Sequence, residues 1–354
     1  MPLEEPSWWY AGEGERAHLA ERLLAPVGDI YGAAVERRFR KSTPYRSALP
    51  VVCVGNFTAG GTGKTPLTRF LIEMLAERQI SAVCLSRGYG GSLAGPVWVD
   101  PVQHGAHEVG DEPLLIARGF GGVAARVMIS RDRKAGCAAI EAAGDAHAII
   151  MDDGLQNPSL VKDLSIAVVD ARRGFGNGRV IPAGPLRARL AFQLGLVDCI
   201  VVMGTDPAAG AHSIFEGLKK QFQGPVLRGS VEPTGEVDWL ADRPVLAYAG
   251  IANPGRFFGM LEGLGPRSLA TRAFADHHAF TDREASDLIS AAQTTGAVLV
   301  TTEKDAARLV GAVGARAELA ALSRTVPITV KFEERDLVRL HALIDGALKA
   351  PPRS

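Results

Sequence analysis

The chain has 354 residues, with 39 basic and 39 acidic side chains and a formal net charge of zero. Hydrophobic residues make up 47% and charged residues 22%. This balance excludes disorder over most of the chain, because disorder needs low hydrophobicity and high net charge. The 40 Gly and 21 Pro follow no fixed period, which excludes a collagen-like chain. Neutrality argues against a nucleic-acid binder, which is usually basic.

Residues 1–46 carry Trp8, Trp9, Tyr10, Tyr31 and Tyr45. Leu19, Leu23, Leu24, Val27, Ile30, Tyr31, Ala34 and Val35 recur at helical spacing, interrupted by Pro26 and Gly28. The pattern predicts two short helices or one kinked helix. A basic cluster follows: Arg37, Arg38, Arg40, Lys41 and Arg46. Aromatic residues, an apolar face and adjacent cations fit a helix resting on an anionic membrane surface. An amphipathic helix packed on the main domain uses the same pattern. No apolar run reaches the ~18 residues of a spanning helix. The best candidate, 190–203, is broken by Gln193 and Asp198. The acidic start (Glu4, Glu5) does not read as a signal peptide. Cys53, Cys84, Cys137 and Cys199 form no C-x-x-C pair, and three of them (Cys53, Cys84, Cys199) sit in or beside apolar runs, which predicts buried thiols in a reducing compartment.

From residue 49 onward, apolar runs alternate with helical segments. LPVVCVGN, SAVCLS, AARVMIS, AHAIIMDD, LSIAVVDA and VDCIVVMG read as strands. Such continuous runs predict a parallel sheet covered by helices on both faces. Residues 223–245 are turn-rich, and a second unit of alternating strands and helices follows. The expected organisation is an N-terminal amphipathic membrane-associating segment (1–46), a P-loop domain (47–230) and a smaller C-terminal α/β domain (231–354).

VVCVGNFTAGGTGKTPL places a buried strand, a glycine-rich turn and a helix in the order a P-loop requires. Thr58, Ala59, Gly60, Gly61, Thr62 and Gly63 form the turn, whose backbone N–H groups would cradle phosphates. Lys64 would reach the β- and γ-phosphates, and the Thr65 hydroxyl would hold Mg2+. The usual motif has Gly where Thr58 stands. No N-K-x-D string is present, which favours ATP over GTP.

An apolar strand ends in Asp152-Asp153, the arrangement that brings a carboxylate to the magnesium shell. A turn or helix cap would use the same two aspartates. Asp111-Glu112 open a helix, so Asp111 reads either as a cap or as a carboxylate near the γ-phosphate. Asp276-His277-His278 close an apolar run; adjacent histidines rarely share a metal, so a base facing the inter-domain cleft is the functional alternative to a structural pair. Arg87, Arg131, Arg133 and Arg187 lie at strand-to-helix turns, where ligands of such sheets bind. Surface ion pairs would also place them there.

The strings VGNFTAGGTGKTP, LSRGYGG, VGDEP, MDDGLQN, GNGRVIPAGPLR, AGIANPGRFF, FADHHAF and TTEKDAARL together resemble the tetraacyldisaccharide 4'-kinase family, in family order and over nearly the whole chain. The resemblance implies a P-loop domain and a smaller α/β domain with the active site between them. It implies transfer of the ATP γ-phosphate, with Mg2+, to the 4'-hydroxyl of an acylated disaccharide 1-phosphate, giving lipid IVA. It implies a monotopic enzyme on the cytoplasmic face of the bacterial inner membrane. Lys64 and Thr65 would serve phosphate and metal. Asp111, oriented by His277, would accept the hydroxyl proton. Glu112, Asp152 and Asp153 would surround magnesium and the reacting groups. Arg87, Tyr89, Arg133, Gln156 and Arg187 would contact nucleotide or lipid headgroup. Two positions depart from the family pattern: Asn157 stands where His is common, and Ala188 where Glu is common. No nucleic acid or obligate protein partner is expected. Competing readings are a nucleotide-switch ATPase of the partitioning or metal-chaperone kind and a kinase for a soluble metabolite.

Overall fold

The computed structural model describes residues 5–10, 19–119, 125–204 and 209–349. Parts of the N-terminal segment, 1–4 and 11–18, lie outside them. The strands are β1 Val51–Asn56, β2 Ala82–Ser86, β3 Val97–Trp98, β4 Arg126–Ile129, β5 Ala148–Asp152, β6 Leu164–Asp170, β7 Cys199–Met203, β8 Val226–Pro233, β9 Pro244–Ala249, β10 Ser268–Ala273, β11 Val298–Thr301, β12 Ser323–Thr325 and β13 Ile328–Phe332. The helices are α1 Leu19–Lys41, α2 Lys64–Glu77, α3 Ala106–Val109, α4 Asp111–Ala117, α5 Arg133–Ala143, α6 Leu190–Leu194, α7 Ala209–Gln221, α8 Pro254–Glu262, α9 Asp282–Thr295, α10 Glu303–Arg308, α11 Ala315–Leu322 and α12 Glu334–Lys349.

Nine strands form one sheet in the order β13-β8-β7-β6-β1-β5-β2-β4-β3, and four form a second in the order β10-β9-β11-β12. The second sheet is all parallel. The first is parallel except at its edges, where β13 and β3 run antiparallel to their neighbours. Every residue of β1, β5 and β6 is buried. Both faces of the central strands are therefore covered, which is why these segments are apolar without alternation. All four cysteines are free and buried.

The second domain ends earlier than residue 354. Its strands lie between 244 and 325, and the chain then returns: β13 pairs with β8, from Ile328↔Pro233 to Phe332↔Gly229. Leu340, Ile344 and Ala347 of α12 join the core of the first sheet. VPITVKF reads as a strand locally, but its partner lies about a hundred residues upstream, and no local pattern specifies that pairing.

Helix α1 is continuous through Pro26. Gly28 and Gly32 are buried, one turn apart, Gly28 against the Val180–Ile181 backbone and Gly32 against the Val180 and Arg189 side chains; a Cβ on Gly28 would lie 2.5 Å from Val180 O. The Glu36 carboxylate pairs with the Arg189 guanidinium, and the Phe39 and Phe192 rings meet at 5.2 Å. The opposite side exposes Leu19, Leu23, Val27, Ile30 and Tyr31. One helix thus packs on the domain and still presents an apolar stripe outward. Trp9 is buried, with Nε1 donating to Pro182 O at 3.2 Å, and Arg46 pairs with Asp163 at 2.8 Å. Neither belongs to an outward-facing membrane patch.

Candidate active site

The site lies at the C-terminal ends of β1 and β5, where the loop after β1 meets the second domain. Open α/β sheets place their ligands at this edge. Gly60 (φ 88°) and Gly63 (φ 95°) take left-handed conformations that a side chain would strain. Gly63 precedes α2 and supplies no side-chain cap, so the first N–H groups of that 14-residue helix remain available to an anion.

The entry to the loop behaves differently. Thr58 forms an antiparallel bridge with Leu186, and Ala59 N–H donates to Pro185 O at 2.8 Å. Arg187 N–H donates to Phe57 O at 2.8 Å, and its Nε donates to Thr58 O at 3.0 Å. Extended backbone suits a β-branched residue. Thr58 can therefore replace the usual glycine, because the turn begins only at Gly60.

Asp152 pairs in register with Val54, beside the loop. Its Oδ1 accepts from the Thr68 hydroxyl at 3.1 Å. Burial, together with the charges of Glu112 and Asp153, pushes its carboxyl up to about 7. Asp153 has φ 48° and faces Lys64 Nζ at 3.8 Å and Arg187 Nη1 at 3.0 Å. Desolvation raises its carboxyl, but Arg187 and Lys64 outweigh that and bring it down to about 2. Buried Asp152 thus has excess negative charge around it, a setting that fits a divalent cation. Thr65 and Asp152 could supply two oxygens, with phosphates and water completing the shell. Among the described residues, no group of three or more His, Cys, Asp or Glu converges into a metal cage. Glu112 is already engaged: Lys304 Nζ lies 3.0 Å from its Oε1, and this charge holds the Glu112 carboxyl below its ordinary range.

Asp111 opens α4, and its Oδ1 accepts the Glu112 N–H at 2.9 Å. The N-cap of this helix is Gly110, with no side-chain cap bond, so Asp111 is not its cap. Its Oδ2 turns to the second domain and meets His277 Nδ1 at 2.9 Å. Burial alone would raise this carboxyl; the hydrogen bond to His277 and the charges of Lys304 and Arg308 hold it well below the usual carboxylate range. His277 has φ 57°, and its ring lies 5.8 Å from that of exposed Tyr89. Among the described residues, His277 and Asp153 are two of four non-glycine residues with positive φ, and such strain concentrates at functional sites. His278 is structural: it stacks on Phe274 and bonds Glu284.

Arg87 and Tyr89 stand exposed on the turn after β2. Arg187 reaches the loop as described. Gln156 Nε2 donates to Asn56 O and to Gln193 Oε1, both at 2.7 Å. Arg133 is buried beneath the site and donates to Ser130 O and Asp152 O, supporting the end of β5 from behind. A ligand contact from Arg133 would need this packing to open. Arg131 braces the carbonyls of Gly91 and Ser92. Asn157 accepts from Ser159 N–H and hydroxyl, and Ala188 is fully buried. Both departures thus occupy structural positions.

Four participants escaped sequence reasoning. Glu5 lies against Gly60 so closely that a Cβ there would overlap its carboxylate, and it pairs with Arg173 at 2.8 Å. Buried Gln193 ties Phe57 O and Ala188 O together. Lys304 and Arg308, one turn apart on α10, carry the second domain's charge to Glu112 and Asp111. The i,i+4 spacing was visible, but a solvated helix face has the same spacing.

A family model for tetraacyldisaccharide-1-P 4'-kinase matches residues 20–347. The chain is similar to proteins named tetraacyldisaccharide 4'-kinase. That of Methylobacterium nodulans is 48% identical, over 99% of this chain and 98% of that one. That of Methylobacterium sp. (strain 4-46) is 50% identical, over 98% of each. Among solved structures, LpxK from Aquifex aeolicus in complex with ATP superposes with a TM-score of 0.70 and 25% identity, covering 93% of this chain and all of that one. On this match across nearly its whole length, the chain belongs to the tetraacyldisaccharide 4'-kinase family.

Proposed function

We propose that the protein transfers the γ-phosphate of ATP to the 4'-hydroxyl of an acylated disaccharide 1-phosphate, the step that makes lipid IVA in lipid A biosynthesis. The observation that carries this is the meeting of Asp111 and His277 at 2.9 Å from opposite domains, beside a phosphate-binding loop. The triphosphate lies over residues 60–65, on uncapped N–H groups and Lys64. Thr65 and Asp152 would hold magnesium, which would neutralise charge on the phosphates. Asp111, oriented by His277, takes the proton of the attacking hydroxyl, while Lys64 balances charge on the transferred group. The sugar attacks in line, the bond to the leaving oxygen breaks, and ADP departs. Closure of the second domain over the loop excludes water and limits wasteful hydrolysis. A nucleotide-switch ATPase is not favoured, since it has no acceptor for this pair to deprotonate.

The acceptor is a lipid, and the exposed stripe Leu19, Leu23, Val27, Ile30 and Tyr31 on α1 supports contact with a bilayer. Arg37, Arg38, Arg40 and Lys41 at its end are exposed and suit anionic headgroups. Among the described residues no helix is long and apolar enough to cross a membrane. The exposed stripe and the cations beside it support a peripheral seat on the cytoplasmic face of the inner membrane. The test is incubation with labelled ATP and disaccharide 1-phosphate in detergent. A bisphosphorylated lipid is expected. ATP hydrolysis with no labelled lipid would refute the assignment.

A further inference from the structure

Several ion pairs cross from the second domain to the first. Arg69–Glu303 (3.0 Å) and Arg256–Asp170 (3.3 Å) touch neither Asp111 nor His277. Arg308 touches both. Its Nε and Nη2 lie 2.8 and 2.5 Å from Asp111 Oδ2, and Nη2 is 3.4 Å from His277 Nδ1. Its Nη1 donates to Gly250 O at 2.6 Å and to Asp305 Oδ1 at 2.7 Å. Gly250 O also accepts the backbone N–H of His277 at 3.1 Å. One guanidinium therefore grips the Asp111 carboxylate directly and shares with His277 the carbonyl that holds its backbone.

The grip is itself anchored. Asp305 is fully buried and accepts from Gly250 N–H at 3.1 and 3.2 Å and from the Thr302 hydroxyl at 2.6 Å. The Arg308 side chain is only 8% exposed. A planar guanidinium with a fork of N–H donors can span two carboxylates and a carbonyl at once; a lysine ammonium is a point charge and cannot keep that geometry. With Oδ2 facing Arg308 and His277, and Oδ1 taking the Glu112 N–H, Asp111 is fixed in orientation.

We propose that Arg308 is a positioning residue for phosphoryl transfer, holding Asp111 and His277 against each other across the domain boundary. The proposal rests on the reading of Asp111 and His277 as the pair that activates the acceptor hydroxyl. Arg308 acts through that pair, so its loss falls on turnover and not on nucleotide binding. A misplacement of about 1 Å at such a pair costs on the order of 100-fold in rate.

The experiment uses the full chain in detergent micelles, with ATP and the disaccharide 1-phosphate. Arg308→Gln is expected to lower kcat about 100-fold, with KM for ATP and the directly measured ATP affinity within about 3-fold of wild type. Arg308→Lys keeps the charge without the fork and is expected to fall about 10-fold. Glu303→Gln removes a boundary ion pair away from Asp111 and is expected to stay within about 3-fold of wild type. If Arg308→Gln does not fold, Arg308→Lys carries the test, and wild-type kcat in it overturns the proposal. Equal losses in Glu303→Gln and Arg308→Gln, or a parallel loss of ATP affinity, would reduce Arg308 to domain adhesion and also overturn it. Wild-type kcat in Arg308→Gln while His277→Ala is inactive defeats this inference alone. Wild-type kcat in both defeats the reading of the pair as well.

Discussion

Asp152→Asn should make the ligand-free protein more stable and the enzyme inactive. Asp152 is 1% exposed, and its carboxyl is lifted from 3.8 to about 7 by burial and by the charges of Glu112 and Asp153. A carboxyl raised in the folded state holds its proton more tightly there than in the unfolded chain. Ionising it therefore costs stability as pH rises from about 4 to about 7, and the cost is constant above that. At about 1.4 kcal/mol per pH unit, full ionisation costs roughly 4 kcal/mol. Asparagine keeps the shape and an acceptor for the Thr68 hydroxyl but has nothing to ionise, so roughly 2–4 kcal/mol should be recovered at pH 8. At about 2 °C per kcal/mol for a chain of this size, melting should rise by roughly 4–8 °C. At pH 4 the two proteins should melt together. Thermal melts at pH 4, 6 and 8, with and without magnesium and ATP, test this. Magnesium-nucleotide should raise the melting temperature of wild type and leave the variant nearly unmoved, because the variant lacks the carboxylate proposed to hold the metal. A ligand-free variant less stable than wild type at pH 8 would refute the reasoning, as would a difference independent of pH.

Three further outcomes are expected. Lys64→Ala should lower turnover of the lipid acceptor by at least about 100-fold, read by product formation under saturating ATP. Glu5→Ala should tighten ATP binding several-fold, measured by calorimetry, because the carboxylate lying on Gly60 occupies ground that suits a phosphate; weaker binding would count against that placement. Leu23→Glu with Ile30→Glu should weaken sedimentation with anionic vesicles about 10-fold or more and leave the melting temperature within about 2 °C, since both side chains are largely exposed on α1.

Much of this site was legible because P-loop chemistry is local. The glycines, Lys64 and Thr65 are consecutive, and the strand and helix that flank them declare themselves by continuous and amphipathic apolar patterns. Asp152 was legible in the same way, as the end of an apolar strand. Ambiguity began where one residue type serves two ends. Asp111 reads as a cap from sequence, and it does take the Glu112 N–H, yet its other oxygen crosses to another domain. Arg133 and Arg187 occupy similar turns in the sequence, but one is buried as a brace and the other reaches the loop.

The sequence by itself determined an α/β protein with a phosphate loop, a covered parallel sheet, buried thiols and a helix with one apolar face. Each of these follows from residues that are neighbours along the chain or one helical turn apart. Tertiary structure alone decided that β13 and α12 return to the first sheet, that the entry to the phosphate loop is a strand pinned by Pro185 and Leu186, and that Arg308 clamps Asp111 to His277. Those contacts join residues about a hundred or more positions apart, or, for Arg308 and His277, also join through a third group. Their specificity comes from shape and charge that exist only after the two domains meet, and no period or spacing in one chain encodes it.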